Sequence, residues 1–376
     1  MTGEQLDTID DRVLSGLRRW PDVEAPNLHA VDASDRLILD EAAAALAESG
    51  PGEVVVIGDA YGALTIGAAA IGATGIRVFQ DSIVGERALA ANAAGAVDYM
   101  NLPLGADLLR GARVVLMQLP RSLAELDELA AWIASAADPA VRVYAGGRIK
   151  HMTTAMNEVL ARHLGRVDVT HARQKSRVLI ASQPLPSEPP TIAREFHTDL
   201  GIWVCATGAT FAGTRIDIGT RALLAVLPTV APDATTAADL GCGSGVVAAV
   251  LAQARPELAV LASDVSAGAV ASARATAEAN ALTNVTVTRD DALGDQPDAS
   301  LDLVVLNPPF HLGATVHTGA ASKLFAAAAR VLKQGGELVT VYNSHLGYRA
   351  ELTRVVGPTD ELSRTSKFTV TRSRKN

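Results

Sequence analysis

The 376-residue sequence predicts an α/β protein of two tandem Rossmann-like domains, each a mainly parallel twisted sheet with helices on both faces. The first supporting observation is that short apolar runs alternate with alanine-rich helical stretches. The second is that this alternation occurs twice along the chain. The third is that 48% of the residues are apolar, which is enough to fill two cores in a chain of this length.

Apolar runs in each half are the expected strands. In the first half they lie at 53–57, 75–79, 112–117 and 141–145, and in the second at 235–240, 258–262, 284–288, 301–306 and 336–342. Between the halves, the sequence QPLPSEPP at 183–190 suits a semi-rigid linker because proline fixes φ and lacks a backbone donor. We therefore expect domains at 1–183 and 196–376, joined by a linker at 184–195.

Composition excludes several classes of protein. No apolar run is long enough to span a membrane, and the acidic N-terminus does not resemble a secretory signal, so we expect a cytoplasmic protein. The two cysteines, Cys205 and Cys242, cannot build a disulfide framework or a CxxC metal site. The eight histidines are scattered, and no metal-ligand pattern is visible.

The net charge of −8 argues against an indiscriminate nucleic-acid binder, but two stretches are strongly basic. Residues 142–177 carry eight Lys or Arg against two acids, and residues 364–376 carry five with no acid. Either stretch alone could be an ordinary solvated surface. Together they favour a polyanionic partner, because clustered Lys and Arg contact phosphates whatever the total charge.

The two halves also resemble copies of each other. An offset of 183 residues places VIGDAYG at 56–62 on DLGCGSG at 239–245, and Asp81 on Asp264. The copies differ where chemistry is expected, since Val56 replaces Asp239 and Ala60 replaces Gly243. QLPR at 118–121 stands roughly where the second half has NPPF at 307–310. We infer one active domain and one retired copy.

The glycine turn of the second half predicts a ligand site. Gly241, Gly243 and Gly245 follow a strand and precede a helix, which is where open α/β sheets bind ligands and where small residues let the backbone approach them. The GxGxG spacing differs from the dinucleotide pattern GxGxxG, which weakens a dehydrogenase interpretation. Asp239, before the turn, is placed to receive the ammonium of an amino-acid moiety, which a methionine-derived cofactor carries.

Two further acids end the next two strands. Asp264 is placed to accept hydrogen bonds from ribose hydroxyls, as in nucleotide sites generally. Asp291, with Ala292 beside it, is placed to take the exocyclic amine of an adenine. Each Asp alone is more typical of a helix cap or turn, but their order on successive strand ends favours a cofactor site.

The tetrapeptide NPPF at 307–310 is the most specific motif. Two prolines remove two backbone donors, which leaves the Asn307 side-chain oxygen and the Pro308 carbonyl as acceptors for a planar exocyclic amine. Holding both amine protons directs the nitrogen toward an incoming methyl group, and orientation supplies most of what a methyl transfer needs. Phe310 is expected to stack on the ring that bears the amine.

With these motifs the sequence resembles the tandem-domain ribosomal RNA guanine-N2 methyltransferases over nearly its whole length. The matching segments are DIG at 217–219, the glycine turn, Asp264, NPPF with His311, GG at 335–336, and Asn343 with HL at 345–346. LPR at 119–121 and GRIK at 147–150 are more similar to the large-subunit branch, while 208–215 departs from the family pattern. The resemblance implies a silent N-terminal class I methyltransferase fold and an active C-terminal one that uses S-adenosylmethionine.

The same resemblance implies ribosomal RNA, or a ribosomal subunit or assembly intermediate, as partner, with neither metal nor membrane. We expect the N-terminal half to contact RNA through the basic residues Arg148, Lys150, Arg173, Lys175 and Arg177. His311 is expected to contact substrate, since no proton shuttle is needed if the amine loses its proton after transfer.

Two alternatives stay open at this point. NPPF-type chemistry also fits an adenine-N6 or protein-glutamine N-methyltransferase, although the glutamine enzymes are expected to carry a helical N-terminal domain instead of a duplicated one. From another class, the chain fits a non-catalytic RNA-binding ribosome-assembly factor. The intact Asp239, Asp264 and Asn307 argue against that decay.

Overall fold

The computed structural model describes residues 11–308 and 314–376, and the chain divides into two compact units, residues 1–191 and 192–376. The strands of unit 1 are β1 (Val54–Ile57), β2 (Ile76–Phe79), β3 (Tyr99–Asn101), β4 (Val114–Gln118), β5 (Arg142–Arg148), β6 (Leu164–Val169) and β7 (Ser176–Pro184). Its helices are α1 (Asp11–Ser15), α2 (Ala33–Ala47), α3 (Ala63–Ile71), α4 (Ile83–Ala93), α5 (Ala106–Leu109), α6 (Leu123–Ala136) and α7 (Thr154–His163).

Unit 2 begins with a short hairpin and then also alternates strands and helices. Its strands are β8 (Ala193–His197), β9 (Ile202–Ala206), β10 (Thr236–Leu240), β11 (Ala259–Asp264), β12 (Val285–Arg289), β13 (Leu301–Leu306), β14 (Leu332–Asn343), β15 (Thr359–Arg364) and β16 (Phe368–Arg374). Its helices are α8 (Ile218–Val226), α9 (Val246–Ala254), α10 (Ala267–Ala279), α11 (Ala314–Val331) and α12 (Arg349–Val355).

Within the described residues each unit has one seven-stranded sheet, and the two sheets share one strand order. The order is β3-β2-β1-β4-β5-β7-β6 in unit 1 and β12-β11-β10-β13-β14-β16-β15 in unit 2. The first five strands of each list run parallel, and the last two pair antiparallel. The predicted class of two tandem, mainly parallel α/β domains is confirmed.

The predicted strands all occur, with ends shifted by a few residues. β13 has the predicted bounds, whereas β5 and β14 extend beyond the predicted 141–145 and 336–342. Strands β3, β6, β7, β15 and β16 of the two sheets were not predicted. Most residues of β6 and β15 are not buried, and β16 buries Thr369, Thr371 and Ser373, so neither kind of strand has a continuous apolar pattern.

Both faces of the central strands of unit 2 are covered. Leu303 and Val305 of β13 pack with α8 and α9, whereas Val304 and Leu306 pack with α11 and α12. This alternation explains why β13 reads as a continuous apolar run, since both faces of a parallel sheet are buried by crossover helices.

The predicted linker is only partly irregular. β7 ends at Pro184, and residues 193–195 belong to β8, which pairs antiparallel with β9. The hairpin is attached to α10, because the Cys205 backbone N–H donates to Thr276 Oγ1 at 2.9 Å and the Trp203 N–H donates to Asn280 Oδ1 at 2.8 Å.

The C-terminal basic stretch is largely engaged within unit 2. Arg374 Nε lies 3.1 Å from Glu337 Oε1, and Arg372 lies 3.8 Å from the same oxygen and 3.5 Å from Asp360. Arg364 pairs with Glu361 at 3.3 Å. These arginines therefore form ion pairs within the last three strands. Fewer of the positive charges at 364–376 are available to a polyanion than the sequence alone suggests.

Candidate active site

Parallel strand order brings the predicted acids and Asn307 to one edge of the sheet in unit 2. β12, β11, β10 and β13 are neighbours, and their carboxyl ends carry Asp291, Asp264, Asp239 and Asn307 respectively. The Asp290 N–H donates to the Asp264 carbonyl at 2.9 Å, which ties the ends of two of these strands together. Residues up to 68 positions apart thus meet at the edge where open α/β sheets bind ligands.

The three glycines of the turn have different structural reasons. All three have positive φ, 74° at Gly241, 53° at Gly243 and 77° at Gly245. A Cβ at Gly241 or Gly243 would meet nothing within 4 Å, so the missing side chains leave open space above the turn. A Cβ at Gly245 would lie 2.9 Å from Ala273, so this glycine permits close packing of α9 on α10.

Asp239 is a buried carboxylate at the start of this turn. Its side chain is 3% exposed, and Oδ2 accepts a 3.0 Å hydrogen bond from the Ala248 N–H in the first turn of α9. Burial, with a smaller effect from the negative charge of Asp264, raises the pKa of Asp239 to about 7. A cationic group placed beside it would stabilise the ionised form.

Asp264 holds the glycine turn from the neighbouring strand. Its Oδ2 accepts from the Gly243 N–H at 3.0 Å, and its Oδ1 accepts from the Ser266 N–H at 3.0 Å. Two backbone donors therefore fix the orientation of the carboxylate. Since each carboxylate oxygen has two lone pairs, the group can accept a ligand hydroxyl as well.

The end of β12 carries two acids with different functions. Asp290 is 3% exposed and accepts from the N–H groups of Asp291 and Asp295, so it shapes the loop. Asp291 Oδ2 pairs with Lys323 Nζ at 2.6 Å, a partner that the sequence did not suggest. Ala292 is buried and has a φ of 55°, which turns the chain behind the acids.

Asn307 is oriented by the start of α8. Its Nδ2 donates to Thr220 Oγ1 at 3.0 Å, and Thr220 Oγ1 in turn lies 2.5 Å from Asp217 Oδ2. The other amide atom, Asn307 Oδ1, is buried and has no hydrogen-bond partner among the described residues. Pro308 is buried, while Phe310 and His311 lie outside the described residues.

The corresponding turn of unit 1 has different side chains. Asp59 is 1% exposed and accepts from the Leu64 and Thr65 N–H groups at 3.0 and 2.7 Å. Ala60, which is exposed, carries a Cβ where unit 2 has Gly243. A Cβ at Gly58 would lie 3.5 Å from the Gln118 carbonyl of β4, whereas a Cβ at Gly241 would meet nothing within 4 Å.

Strand register also identifies the counterpart of Asn307. In unit 1, Ile57 pairs with Met117, and in unit 2 Leu240 pairs with Leu306. Since Ile57 and Leu240 are equivalent, Gln118 occupies the position of Asn307.

The basic residues expected to contact RNA have unequal surroundings. Partial burial, followed by the charges of Arg121 and Lys150, lowers the pKa of His151, against the opposing effect of Asp32. Arg148 contributes to the same lowering. Arg121 follows β4, and Lys150 follows the neighbouring strand β5. None of the three cations forms an ion pair within the described part of the chain. We call Arg121, Arg148, Lys150 and His151 the strand-end cluster.

Two of the remaining expected RNA contacts, Arg173 and Arg177, are less available. Arg173 pairs with Asp40 at 2.8 Å, and the Arg177 Nε is buried without a hydrogen-bond partner. Lys175 is exposed, and its carbonyl accepts from the Ile149 N–H at 2.9 Å, which places it beside the strand-end cluster.

Comparison with known proteins follows the same division of the chain. Residues 6–185 match the family described as RLMG N-terminal domain, and residues 201–372 match the Methyltransferase small domain. A protein from Streptomyces avermitilis named ribosomal RNA large subunit methyltransferase G is 35% identical, over 96% of this chain and 96% of the relative. The chain belongs to the ribosomal RNA large subunit methyltransferase G family.

Further relatives support this membership. A methyltransferase G from Pseudomonas aeruginosa is 35% identical over 96% of this chain and 97% of its own length. The solved T. thermophilus 16S rRNA N2 methyltransferase RsmC, in complex with AdoMet and guanosine, has a TM-score of 0.70 and covers 90% of this chain and 92% of its own. At 21% identity it confirms the fold of the methyltransferase G family member described here. The predicted resemblance, including its large-subunit branch, is confirmed.

Sequence reasoning missed several residues of this methyltransferase G site. Thr220, Lys323 and Asp290 contact the predicted residues but were not singled out. For Thr220 a signal existed, because Asp217 followed by Thr220 has the spacing of a helix cap, and Asp217 does cap α8 through the Gly219 and Thr220 N–H groups.

The described residues contain neither a membrane-spanning helix nor a metal-ligand cluster. No helix in residues 11–308 and 314–376 combines the length and apolar character needed to cross a bilayer. In the same part of the chain, no group of three or more His, Cys, Asp or Glu side chains is arranged to hold a metal ion.

Proposed function

We propose that the chain transfers a methyl group from S-adenosylmethionine to the exocyclic N2 amine of a guanine in large-subunit ribosomal RNA. The observation that carries this proposal is Asn307 Oδ1 at the end of β13, which is buried and has no partner among the described residues, in a chain of the methyltransferase G family. A buried acceptor without a partner is unfavourable unless a ligand donor completes it. A guanine amine supplies that donor.

The open turn of unit 2 fits the methyl donor. Gly241 and Gly243 leave space for a ligand against the backbone, and Asp239 suits the ammonium of the methionine moiety. Asp264 is oriented to accept ribose hydroxyls, and Asp291 with Ala292 lines the adenine side. When bound, S-adenosylmethionine supplies an electrophilic methyl group on a sulfonium.

The chain's contribution to the reaction is orientation of the amine. Asn307 Oδ1 and the Pro308 carbonyl each hold one amine proton, so the nitrogen lone pair faces away from both acceptors. These two acceptors would hold the amine in this orientation toward the methyl group of the bound cofactor, until the amine loses one proton to solvent. Both acceptors strengthen as positive charge develops on nitrogen.

Unit 1 has a different task in this proposal. Its turn has Ala60 in place of Gly243 and a carboxylate, Asp59, that already accepts two N–H groups, so we assign no cofactor to it. The strand-end cluster offers phosphate a group of cations that form no ion pair among the described residues. We assign residues 1–183 to RNA binding and 196–376 to catalysis, with the ribosomal subunit or an assembly intermediate in the cytoplasm as the partner.

Asn307→Ala tests the proposed activity. The substrate is ribosomal RNA from a strain lacking this gene, and the readout is N2-methylguanine measured by mass spectrometry after digestion. We expect the rate to fall by about 10² to 10³, the usual effect of removing one preorganised polar group. Affinity for S-adenosylmethionine, measured by calorimetry, should be nearly unchanged.

Gln118→Ala is the matched control, because Gln118 holds the equivalent position in unit 1 and is expected to leave the rate unchanged. A wild-type rate for Asn307→Ala would refute the active-site assignment. If methyl groups are found on adenine N6 or on protein glutamine instead, that group and not guanine is the acceptor. No methyl transfer and no cofactor binding by the wild-type chain would favour the assembly-factor alternative.

A further inference from the structure

We infer that Thr220 and Gly219 are positioning residues that set the orientation of the Asn307 amide and keep its oxygen available. The inference rests on the proposed function of Asn307 and assigns roles to two residues at the start of α8. Gly219 and Thr220 are both buried, and neither is needed to contact a substrate for the argument.

The direction of the hydrogen bonds follows from proton count. An ionised Asp217 has only acceptors, so Thr220 must donate its single hydroxyl proton to Asp217 Oδ2 across 2.5 Å. Thr220 Oγ1 can then offer only a lone pair to Asn307. The amide must turn its NH2 group toward Thr220, as it does at 3.0 Å, and its oxygen therefore faces the other way.

The retired copy shows what happens when the oxygen is not kept available. There, Gln118 Nε2 donates to Asp35, which occupies the position of Thr220 behind the helix cap Asp32. The amide oxygen, however, lies 3.2 Å from Ser34 Oγ, whose single proton is shared between this oxygen and Asp32 Oδ1. Both ends of the Gln118 amide thus lie within hydrogen-bond distance of the helix start.

Gly219 takes the position of Ser34 in the active copy. A Cβ built on Gly219 would lie 3.7 Å from Asn307 Oδ1 and 3.0 Å from Asp217 Oδ1. A serine hydroxyl at this position would reach both oxygens, as Ser34 Oγ reaches Asp32 Oδ1 and Gln118. Absence of a side chain at residue 219 therefore leaves Asn307 Oδ1 for a ligand.

The first test compares Thr220→Val with Thr220→Ser. Valine keeps the shape and removes the hydroxyl, so we expect the turnover rate to fall by about 10- to 100-fold, below the full loss expected for Asn307→Ala. Serine keeps the hydroxyl and should retain most of the rate. A purely packing role predicts the opposite ranking, because serine loses a buried methyl and valine does not.

Controls separate orientation from stability. Thr276→Val removes another buried hydroxyl in unit 2, one bonded to Cys205 away from the site, and should leave the rate unchanged. In an Asn307→Ala background, Thr220→Val should cause no further loss, since Thr220 acts through Asn307. In ¹⁵N-labelled protein without ligands, the Asn307 side-chain NH2 protons should exchange faster in Thr220→Val than in wild type or Thr220→Ser.

The second test introduces the feature of the retired copy. Gly219→Ser should lower the rate by about 10²-fold, close to the effect of Asn307→Ala. Gly219→Ala adds the same Cβ without a hydroxyl and should reduce the rate much less. Calorimetric affinity for S-adenosylmethionine should stay within about twofold of wild type in both variants, because Gly219 does not belong to the glycine turn.

The outcomes distinguish the two levels of the argument. If Asn307→Ala is inactive while Thr220→Val and Gly219→Ser keep the wild-type rate, the positioning inference is wrong and the proposed function stands. Equal losses for Gly219→Ser and Gly219→Ala would refute the role of the hydroxyl. If Asn307→Ala itself keeps the wild-type rate, the proposed function fails first.

Discussion

The glycine turns of the two units solve the same capping problem with acids at different positions. In unit 1, Asp59 lies within the turn, and its carboxylate accepts hydrogen bonds from two N–H groups of α3. In unit 2 the acid is Asp239, on the strand before the turn, and it accepts one N–H of α9. Moving the acid back by three positions in the aligned sequences leaves the turn itself to glycine and cysteine.

This difference indicates how two copies of one fold can differ in ligand binding at the same edge of the sheet. Both helices begin with a carboxylate at their positive ends, so both starts are stabilised. In unit 2, the turn that follows the acid has open space where a Cβ of Gly241 or Gly243 would lie. An inactive unit 1, as proposed above, needs no change of topology, since the two turns differ in only a few side chains.

The sharpest way to break this comparison is to remove the acid that follows each turn. Asp264→Ala should weaken binding of S-adenosylmethionine by about 1 to 3 kcal/mol, because it removes acceptors for buried hydroxyls. Asp81→Ala, the equivalent change in unit 1, should leave affinity unchanged. Titration calorimetry measures both, and a stoichiometry of two sites per chain would contradict the view that unit 1 is retired.

The next largest effect concerns the strand-end cluster of unit 1. Neutralising Arg121, Arg148 and Lys150 to glutamine should reduce the slope of log affinity against log salt by about one for each phosphate that the variant no longer neutralises. Filter binding to ribosomal RNA at several salt concentrations provides the slope, and cofactor affinity should not change. Arg173→Gln is the control, because Arg173 already pairs with Asp40. An unchanged slope in the triple variant would show that the cluster is ordinary solvated surface and does not contact RNA phosphates.

A smaller effect is expected on the pH dependence of S-adenosylmethionine affinity, because Asp239 is expected to contact the cofactor and Asp59 is not. The pKa of Asp239 is about 7 in the free protein, and a bound ammonium favours its ionised form. Binding below pH 7 must therefore expel a proton, so affinity should fall as the pH is lowered from about 7.5 to 5.5, by at most about tenfold per unit. Asp239→Asn should bind more weakly and without this dependence. A wild-type affinity that is flat over the same range would exclude Asp239 as the ammonium partner.

The smallest expected effect is structural. Asp59→Ala removes the cap of α3 and should destabilise the protein by about 1 to 2 kcal/mol, which lowers the melting temperature by several degrees. Differential scanning calorimetry measures this change. Cofactor affinity should be retained, and a loss of binding would show that the turn of unit 1 contributes to the cofactor site.

Local pattern was sufficient for much of this description. The alternation of apolar runs and helices predicted two parallel sheets, because strands buried on both faces must be apolar throughout. The GxGxG turn, Asp264 and NPPF at 307–310 identified one edge of the second sheet, since carboxyl ends of parallel strands meet there. The sequence also revealed the duplication, and the identical strand orders agree with it.

Long-range contacts decided the rest. Thr220 orients Asn307 from 87 residues away, and Glu337 engages the arginines of β16, neither of which a local pattern can indicate. Arg121 joined Arg148 and Lys150 only when β4 and β5 were placed side by side. The amino-acid sequence determined which chemical groups end each strand. Tertiary structure alone decided which of their atoms are consumed by the protein and which are left for a ligand, because hydrogen-bond partners distant in sequence meet only in the folded chain.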